Sequence, residues 1–361
     1  MSNIFHITSV HQRYDTRIFK KECVSLAQAG HSVTLIVCDG LGNEVKEGVT
    51  IIDIGVSNKM ERLKRFRILP NKIYQYLMTQ KDKIDFVHFH DPELIFIGTK
   101  LVKNGTKVIY DVHEHVPNQI LSKPYLPKFS RKLISWIVNK IEMKLSRCFF
   151  AIISVTDELV NRFLKINKNV FLLRNFPVLS SFPEPDFSQK TGCFLYAGGV
   201  TRIRGALEMS QAISLNKIPL DIYGPVDNYI GNQLNDNQFC HVYGTVEQSI
   251  LIEKYKKASV GLCVLHKVPN YLDSYPIKLF EYMASGLAVI ISDIPMWKEI
   301  VESCKCGICV NPYNIDEIAN AMVYMKEHPE EIKQMGMNGR KAVIEKYSWE
   351  SEEPTLLSIY K

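Results

Sequence analysis

Short runs of β-branched and aromatic residues recur along this chain with helix-length segments between them. That alternation restricts the fold more than any other feature. Ile4-Phe5-His6-Ile7 is the first run. Ile18 to Ala29 follows, with Phe19, Cys23, Leu26 and Ala27 at the spacing of one helix face and Gly30 as its stop. Ser32 to Cys38, Asp85 to His90, Lys107 to Asp111 and Phe149 to Val155 continue the pattern. Strands apolar along their length and separated by helices predict a parallel sheet covered on both faces.

A proline-rich break interrupts the alternation at Asn175-Phe176-Pro177 and Phe182-Pro183-Glu184-Pro185. It then restarts with Cys193 to Tyr196, Leu220 to Tyr223, His241 to Tyr243, Val260 to Val264 and Ala288 to Ile291. The reading is α/β, with two Rossmann-like doubly wound domains facing across a cleft. The first spans 1–175, a linker spans 176–190, the second domain spans 191–340, and a helical tail spans 341–361. Ligands of such sheets bind at the carboxyl ends of the strands.

Bulk properties narrow the classes of function. The 361 residues suffice for two ordinary domains. No apolar stretch approaches the roughly 20 residues of a membrane span. The start, MSNIFHITSVHQRYD, lacks a signal-peptide core, so a cytoplasmic protein is expected. Nine scattered cysteines suggest reduced thiols. Cys304, Cys306 and Cys309 lack a partner pair at zinc-ribbon spacing and are not read as a metal site. Residues 1–175 carry 27 basic and 16 acidic residues, whereas 176–361 carry 17 and 22. The basic excess lies in 58–83 and 121–147. The latter interleaves Lys and Arg with Tyr125, Leu126, Phe129, Leu133, Trp136 and Ile137, a mix suited to an acidic inner-membrane surface. No zinc motif or RNA-binding signature accompanies the basic residues, so no nucleic-acid partner is expected.

The segment Asp273-Ser-Tyr-Pro-Ile-Lys278-Leu-Phe-Glu281-Tyr-Met-Ala-Ser-Gly286 carries the clearest chemistry. Pro276 suits a helix start, Ile277, Phe280 and Met283 share one face, and Gly286 ends the helix. One carboxylate precedes the helix and another lies two turns in. Carboxylates accept strongly from sugar hydroxyls, and a helix start offers free N–H groups to a diphosphate.

Asp273-x7-Glu281, followed by Tyr-Met-Ala-Ser-Gly-Leu-Ala-Val-Ile, resembles the Glu-x7-Glu motif of the retaining GT-B glycosyltransferases of family 4. The resemblance extends over nearly the whole chain and implies that the C-terminal helix returns toward the N-terminal domain. It implies that Asp273 contacts hydroxyls of the transferred sugar and Glu281 the ribose of the nucleotide. Asp273 departs from the usual Glu by one methylene. Ala197-Gly198-Gly199-Val-Thr-Arg202-Ile-Arg204-Gly205 resembles the family's phosphate loop. Gly199, Arg204, Arg202 and Lys278 are then the donor's phosphate neighbours. A histidine after the strand Lys107 to Asp111 lies near the sugar in this family, and His113 is the match, with His90 and His115 as alternatives. Glu114 is a candidate to orient a histidine or an acceptor. His11-x3-Asp15-x-Arg17 resembles a subset of bacterial polysaccharide transferases, which implies that Asp15 and Arg17 contact acceptor or phosphate. Tyr243, at a strand end, falls where the family recognises the base.

Together these readings imply a retaining glycosyltransferase that uses a nucleotide-sugar, UDP or GDP, and needs neither metal nor cofactor. A glycan or polyprenyl-diphosphate-linked acceptor of bacterial surface polysaccharide synthesis is the expected partner. A nucleotide-sugar epimerase or an inactive nucleotide-sugar-binding relative of the same fold is the alternative.

Overall fold

A computed structural model of the chain describes residues 1–55, 62–122 and 126–361. The side chains of residues 62–67, 122, 128, 228, 235 and 270 are outside the description. Tyr125 and part of the basic stretch 58–83 therefore lie outside the described residues. The chain divides into two units, Met1–Asn175 with Glu352–Lys361, and Phe176–Ser351.

The first unit holds β1 (Asn3–Ile7), β2 (Ser32–Val37), β3 (Glu44–Lys46), β4 (Val49–Asp53), β5 (Phe86–Phe89), β6 (Lys107–Val112), β7 (Ala151–Ser154) and β8 (Val170–Leu172). Their order is β3-β4-β2-β1-β5-β6-β7-β8, and only β3 runs antiparallel. The chain passes outward from β1 to β2 and β4, then returns to β5 on the other side of β1. The crossover point of the sheet is thus the β1–β5 boundary, where a doubly wound sheet opens a crevice. Val87, Phe89, Val108, Tyr110 and Ile152 are buried in one core with Leu69, Ile73 and Leu77 of the helix Arg62–Thr79.

The second unit is a six-stranded parallel sheet of β9 (Cys193–Ala197), β10 (Leu220–Tyr223), β11 (Cys240–Gly244), β12 (Ala258–Cys263), β13 (Ala288–Ser292) and β14 (Gly307–Val310). The order is β11-β10-β9-β12-β13-β14, which puts its crossover point between β9 and β12. Apolar clusters cover both faces.

The alternation predicts most of these strands. It misses β3 and β8, three residues each and too short for periodicity to register, and also β4 and β14, which are as long as strands that it does find. The expected linker 176–190 is not free-standing. Phe176 and Phe182 are buried in the second unit's core, with the Phe176 ring 4.6 Å from that of Phe280. Buried Arg340 donates to the carbonyls of Phe182 at 3.0 Å and Ala284 at 2.6 Å. Prolines signalled the break, but two phenylalanines tie it down. The tail is two helices, Pro329–Glu345 and Trp349–Ile359, and its last ten residues group with the first unit. There Glu352 accepts from the Arg174 amide at 2.9 Å.

The helix Lys128–Leu145 leaves an apolar row in solvent: Phe129, Leu133, Trp136, Ile137 and Ile141 are exposed, Phe129 at 88%. No helix among the described residues is long and apolar enough to cross a membrane.

Trp297 is fully buried, and its indole N–H donates to the Ser274 carbonyl at 2.6 Å, beside Asp273. Trp297→Ala should cost about 3–5 kcal/mol by opening a cavity and freeing that carbonyl. Chemical denaturation of the variant, followed by the second unit's transition, measures this.

Candidate functional site

In the second unit, the chemistry collects where β9 and β12 diverge. β9 ends at Ala197, and Gly198 turns the backbone with φ of 129°. Arg202 to Arg204 form a single helical turn, closed by Gly205 at φ of 70°, and the helix Ala206–Asn216 begins. A Cβ on Gly205 would collide with the Val264 carbonyl oxygen just past β12. Glycine therefore lets the two strand ends approach.

Two cations converge on this loop. Lys278 lies in the first turn of the helix Ile277–Ala284, and its ammonium sits 3.8 Å over the Tyr196 ring. A Cβ on Gly198 would stand 2.9 Å from that ammonium, and one on Gly199 would stand 2.9 Å from the Arg204 guanidinium. The missing side chains are what leave room for the charges. Arg204 meets neutral acceptors at long range, the Tyr271 hydroxyl and the Gly199 carbonyl, both at 3.4 Å, with the Tyr196 hydroxyl also acting on it. The Lys278 ammonium is buried without a hydrogen-bond partner. Among the described residues neither cation forms an ion pair. Burial, with the Arg204 charge adding to it, brings Lys278 down to about 8. Two cations with no ion pair among the described residues, beside open glycine backbone, are an arrangement that can accept an anion. Arg202 is exposed on the same turn.

Glu281 follows Lys278 by three residues and accepts from the Tyr255 hydroxyl at 3.3 Å. Asp273 is exposed in the loop after the short helix Pro269–Leu272. Tyr243 is half exposed at the end of β11. Its ring lies flat on Tyr223, with centroids 4.7 Å apart at 7°. Tyr196, Tyr255 and Tyr271, which support these groups, were not singled out in the sequence. Nothing in spacing alone distinguishes them from core tyrosines.

In the first unit, the expected candidates form a largely buried polar cluster at the carboxyl ends of β1, β5 and β6. Arg17 was expected to contact acceptor or phosphate, but its guanidinium is buried and already engaged. It makes two bonds of 2.9 Å to Asp111, one of 3.0 Å to the Leu173 carbonyl, and an ion pair with Glu22 at 3.0 Å. Removing one partner of such a buried pair costs about 3–5 kcal/mol, which marks Arg17 as structural support. Asp15 accepts from the Arg17 and Ile18 amides at 2.8 and 3.0 Å and so caps the following helix.

The His113 side chain is 21% exposed, and its Nε2 is 2.7 Å from Asp111 Oδ2. His90 is buried. Its Nδ1 is 3.1 Å from the same oxygen, and burial holds it down to about 4 against the pull of Asp111. Glu114 is exposed, and His115 Nδ1 accepts from the Asn118 amide at 3.2 Å. His11 Nδ1 pairs with Asp91 at 3.0 Å. Burial disfavours the Asp91 carboxylate, yet His11 and the Ser9 and Thr8 donors hold it down to about 2. Asp111, Glu22 and His6 were missed. The signal for Asp111 was its place two residues before His113, on the same side of an extended strand.

Residues 17–175 match the family described as Glycosyltransferase Family 4, and residues 184–342 match Glycosyl transferases group 1. The MMP α-(1→4)-mannosyltransferase of Mycolicibacterium hassiacum is 24% identical over 143 residues, 39% of this chain and 33% of that protein. The chain thus spans about a third of that relative's length. Sucrose-phosphate synthase of Thermosynechococcus elongatus superposes with a TM-score of 0.78 at 17% identity, over 100% of this chain and 98% of that one. HepE of Anabaena in complex with UDP-glucose gives 0.73 at 11% identity, over 100% and 99%. With two parallel-sheet units, and with consecutive matches that together span most of its length, the chain belongs to the GT-B glycosyltransferases, a Family 4 domain followed by a group 1 domain.

Proposed function

We propose that the protein transfers a sugar, with retention of configuration, from a nucleoside diphosphate-sugar to a glycan or polyprenyl-diphosphate-linked acceptor in bacterial surface polysaccharide synthesis. The observation that carries this reading is the pair Lys278 and Arg204, unneutralised beside Gly198 and Gly199. A diphosphate supplies the charge they lack. UDP is the preferred nucleotide, because a fold relative holds UDP-glucose. GDP is the second choice.

Glu281 takes the ribose hydroxyls, Tyr243 offers its ring to the base, and Asp273 takes a hydroxyl of the sugar. His113, oriented by Asp111, hydrogen-bonds the sugar. The acceptor oxygen attacks the anomeric carbon on the face from which the diphosphate leaves. The carbon–oxygen bond to phosphate breaks, and the acceptor proton passes to the departing phosphate oxygen. Lys278, Arg204 and the N–H groups opening the helix Ile277–Ala284 stabilise the leaving charge without a metal.

Arg204→Ala should lower kcat by ~100-fold or more while its melting temperature stays in the range of a surface substitution. Sugar transfer to lipid-linked acceptors, followed by mass spectrometry, reads the activity. Full activity in the variant sinks the assignment, and so does an epimerised donor with no transfer in the wild type.

The protonated form of Lys278 is the one that binds phosphate. Its value of about 8 means that the free enzyme loses this charge as pH rises through that region. The kcat/KM for donor should therefore fall above pH 8 and be low throughout, without that limb, in Lys278→Met.

The exposed row on Lys128–Leu145, flanked by Lys132 and Lys140, supports docking on acidic lipid. Flotation with vesicles containing phosphatidylglycerol should recover the wild type. Phe129→Ser with Trp136→Ser should stay in solution. Equal behaviour of the two proteins, or indifference to lipid charge, overturns the docking.

A further inference from the structure

Three histidines and a glutamate converge inside the first unit, apart from the donor-binding groups assigned above. His6 on β1 is the register partner of His88 on β5. His90 lies two residues beyond His88, so all three imidazoles project from one face of the sheet. Glu22, in the helical segment Ile18–Cys23, is buried over that face. His6, Glu22 and His88 are wholly buried, and His90 is 2% exposed.

We propose that His6, Glu22, His88 and His90 bind a divalent transition-metal ion of the zinc class, held as a structural ion at the β1–β5 crossover point.

Several independent observations support the site. Among the described residues His88 Nε2 and Glu22 Oε2 are buried with no hydrogen-bond partner, while Glu22 Oε1 meets Arg17 Nε at 3.0 Å, and a native interior rarely leaves such groups orphaned without an ion or water. The spacing fits a small ion. Glu22 Oε2 is 3.9 Å from His6 Nδ1, 3.8 Å from His88 Nε2 and 3.9 Å from His90 Nε2. His6 Nδ1 is 3.0 Å from His90 Nε2. Nitrogens and oxygens about 2.0–2.1 Å from a tetrahedral zinc stand roughly 3.3–3.4 Å apart, so shifts of about half an ångström close the shell.

Two of the three imidazoles carry the outer contacts of metal ligands. The far nitrogen of His90 meets Asp111 at 3.1 Å, and that of His88 meets the Tyr360 hydroxyl at 2.6 Å. Charge also favours a cation. Asp111 and Glu22 are two buried carboxyl groups that share the single guanidinium of Arg17, so a further cation beside them offsets charge that Arg17 alone does not. Three imidazoles and one carboxylate suit zinc, whereas magnesium and calcium require oxygen shells.

Each imidazole keeps one proton: on binding, the N–H between His6 Nδ1 and His90 Nε2 shifts to the other nitrogen of its own ring, so that both of these nitrogens face the metal, and any proton on Glu22 leaves for solvent as the carboxylate joins the shell. Full burial leaves no open coordination position, so the ion ties β1, the first helix, β5 and the C-terminal Tyr360 together and does not enter the transfer chemistry. The competing occupant is a proton on Glu22.

The test uses the intact wild-type chain, incubated with zinc chloride and desalted. Elemental analysis should find about one ion per chain, and chelation should lower the melting temperature by several degrees. Cobalt chloride in place of zinc should give visible ligand-field absorption without a thiolate charge-transfer band, which separates this site from the nine cysteines. Glu22→Gln and His88→Ala should each lose the ion. Three results overturn the proposal: well under one ion with an unmoved melting temperature, a thiolate band, or full metal content in both variants.

Discussion

Lys278 and Arg204 lie against bare glycine backbone and form no ion pair among the described residues, and the second unit is arranged to keep them so. Like charges brought together in a partly dry site repel, and burial raises that cost. The fold tolerates it because Tyr196 presents a ring to the ammonium and because Gly198 and Gly199 leave the needed volume. Gly205 completes the arrangement by letting the loop close onto the end of β12. The site is held in a charged condition that an anion relieves. That is the form of preorganisation that suits a leaving group whose charge grows during reaction.

The first unit solves the opposite problem. Its cation and anions are buried together, with Arg17 gripping Asp111 in a bidentate pair. Asp111 in turn holds both His90 and His113. A side chain read as a ligand contact proves to be a brace, and a residue passed over proves to be the hub. Arg17 and Asp111 are 94 positions apart in sequence, so no local pattern announces their meeting.

The crossover geometry links these two arrangements. In each unit the chain leaves a central strand in one direction and returns on its other side, which leaves loops free at the carboxyl ends of two adjacent strands. In the second unit that place holds the glycine loop. In the first it holds His6, His88 and His90. The same topology thus places glycines at that point in one unit and packs imidazoles inward in the other.

The sequence by itself determined the fold class, because apolar runs of strand length separated by helices have few other solutions. It also determined the segment Asp273 to Gly286, where proline, lysine, glutamate and glycine keep fixed offsets along one helix. Only the tertiary structure decided which charges are spent. Lys278 makes no hydrogen bond among the described residues because Tyr196 and Gly198 face it. Arg17 is consumed because Asp111 and Glu22 fold onto it, and Phe176 and Phe182 turn an apparent linker into core. Each outcome depends on neighbours distant in the chain, and burial sets whether a polar group keeps its charge, finds a partner or waits for a ligand.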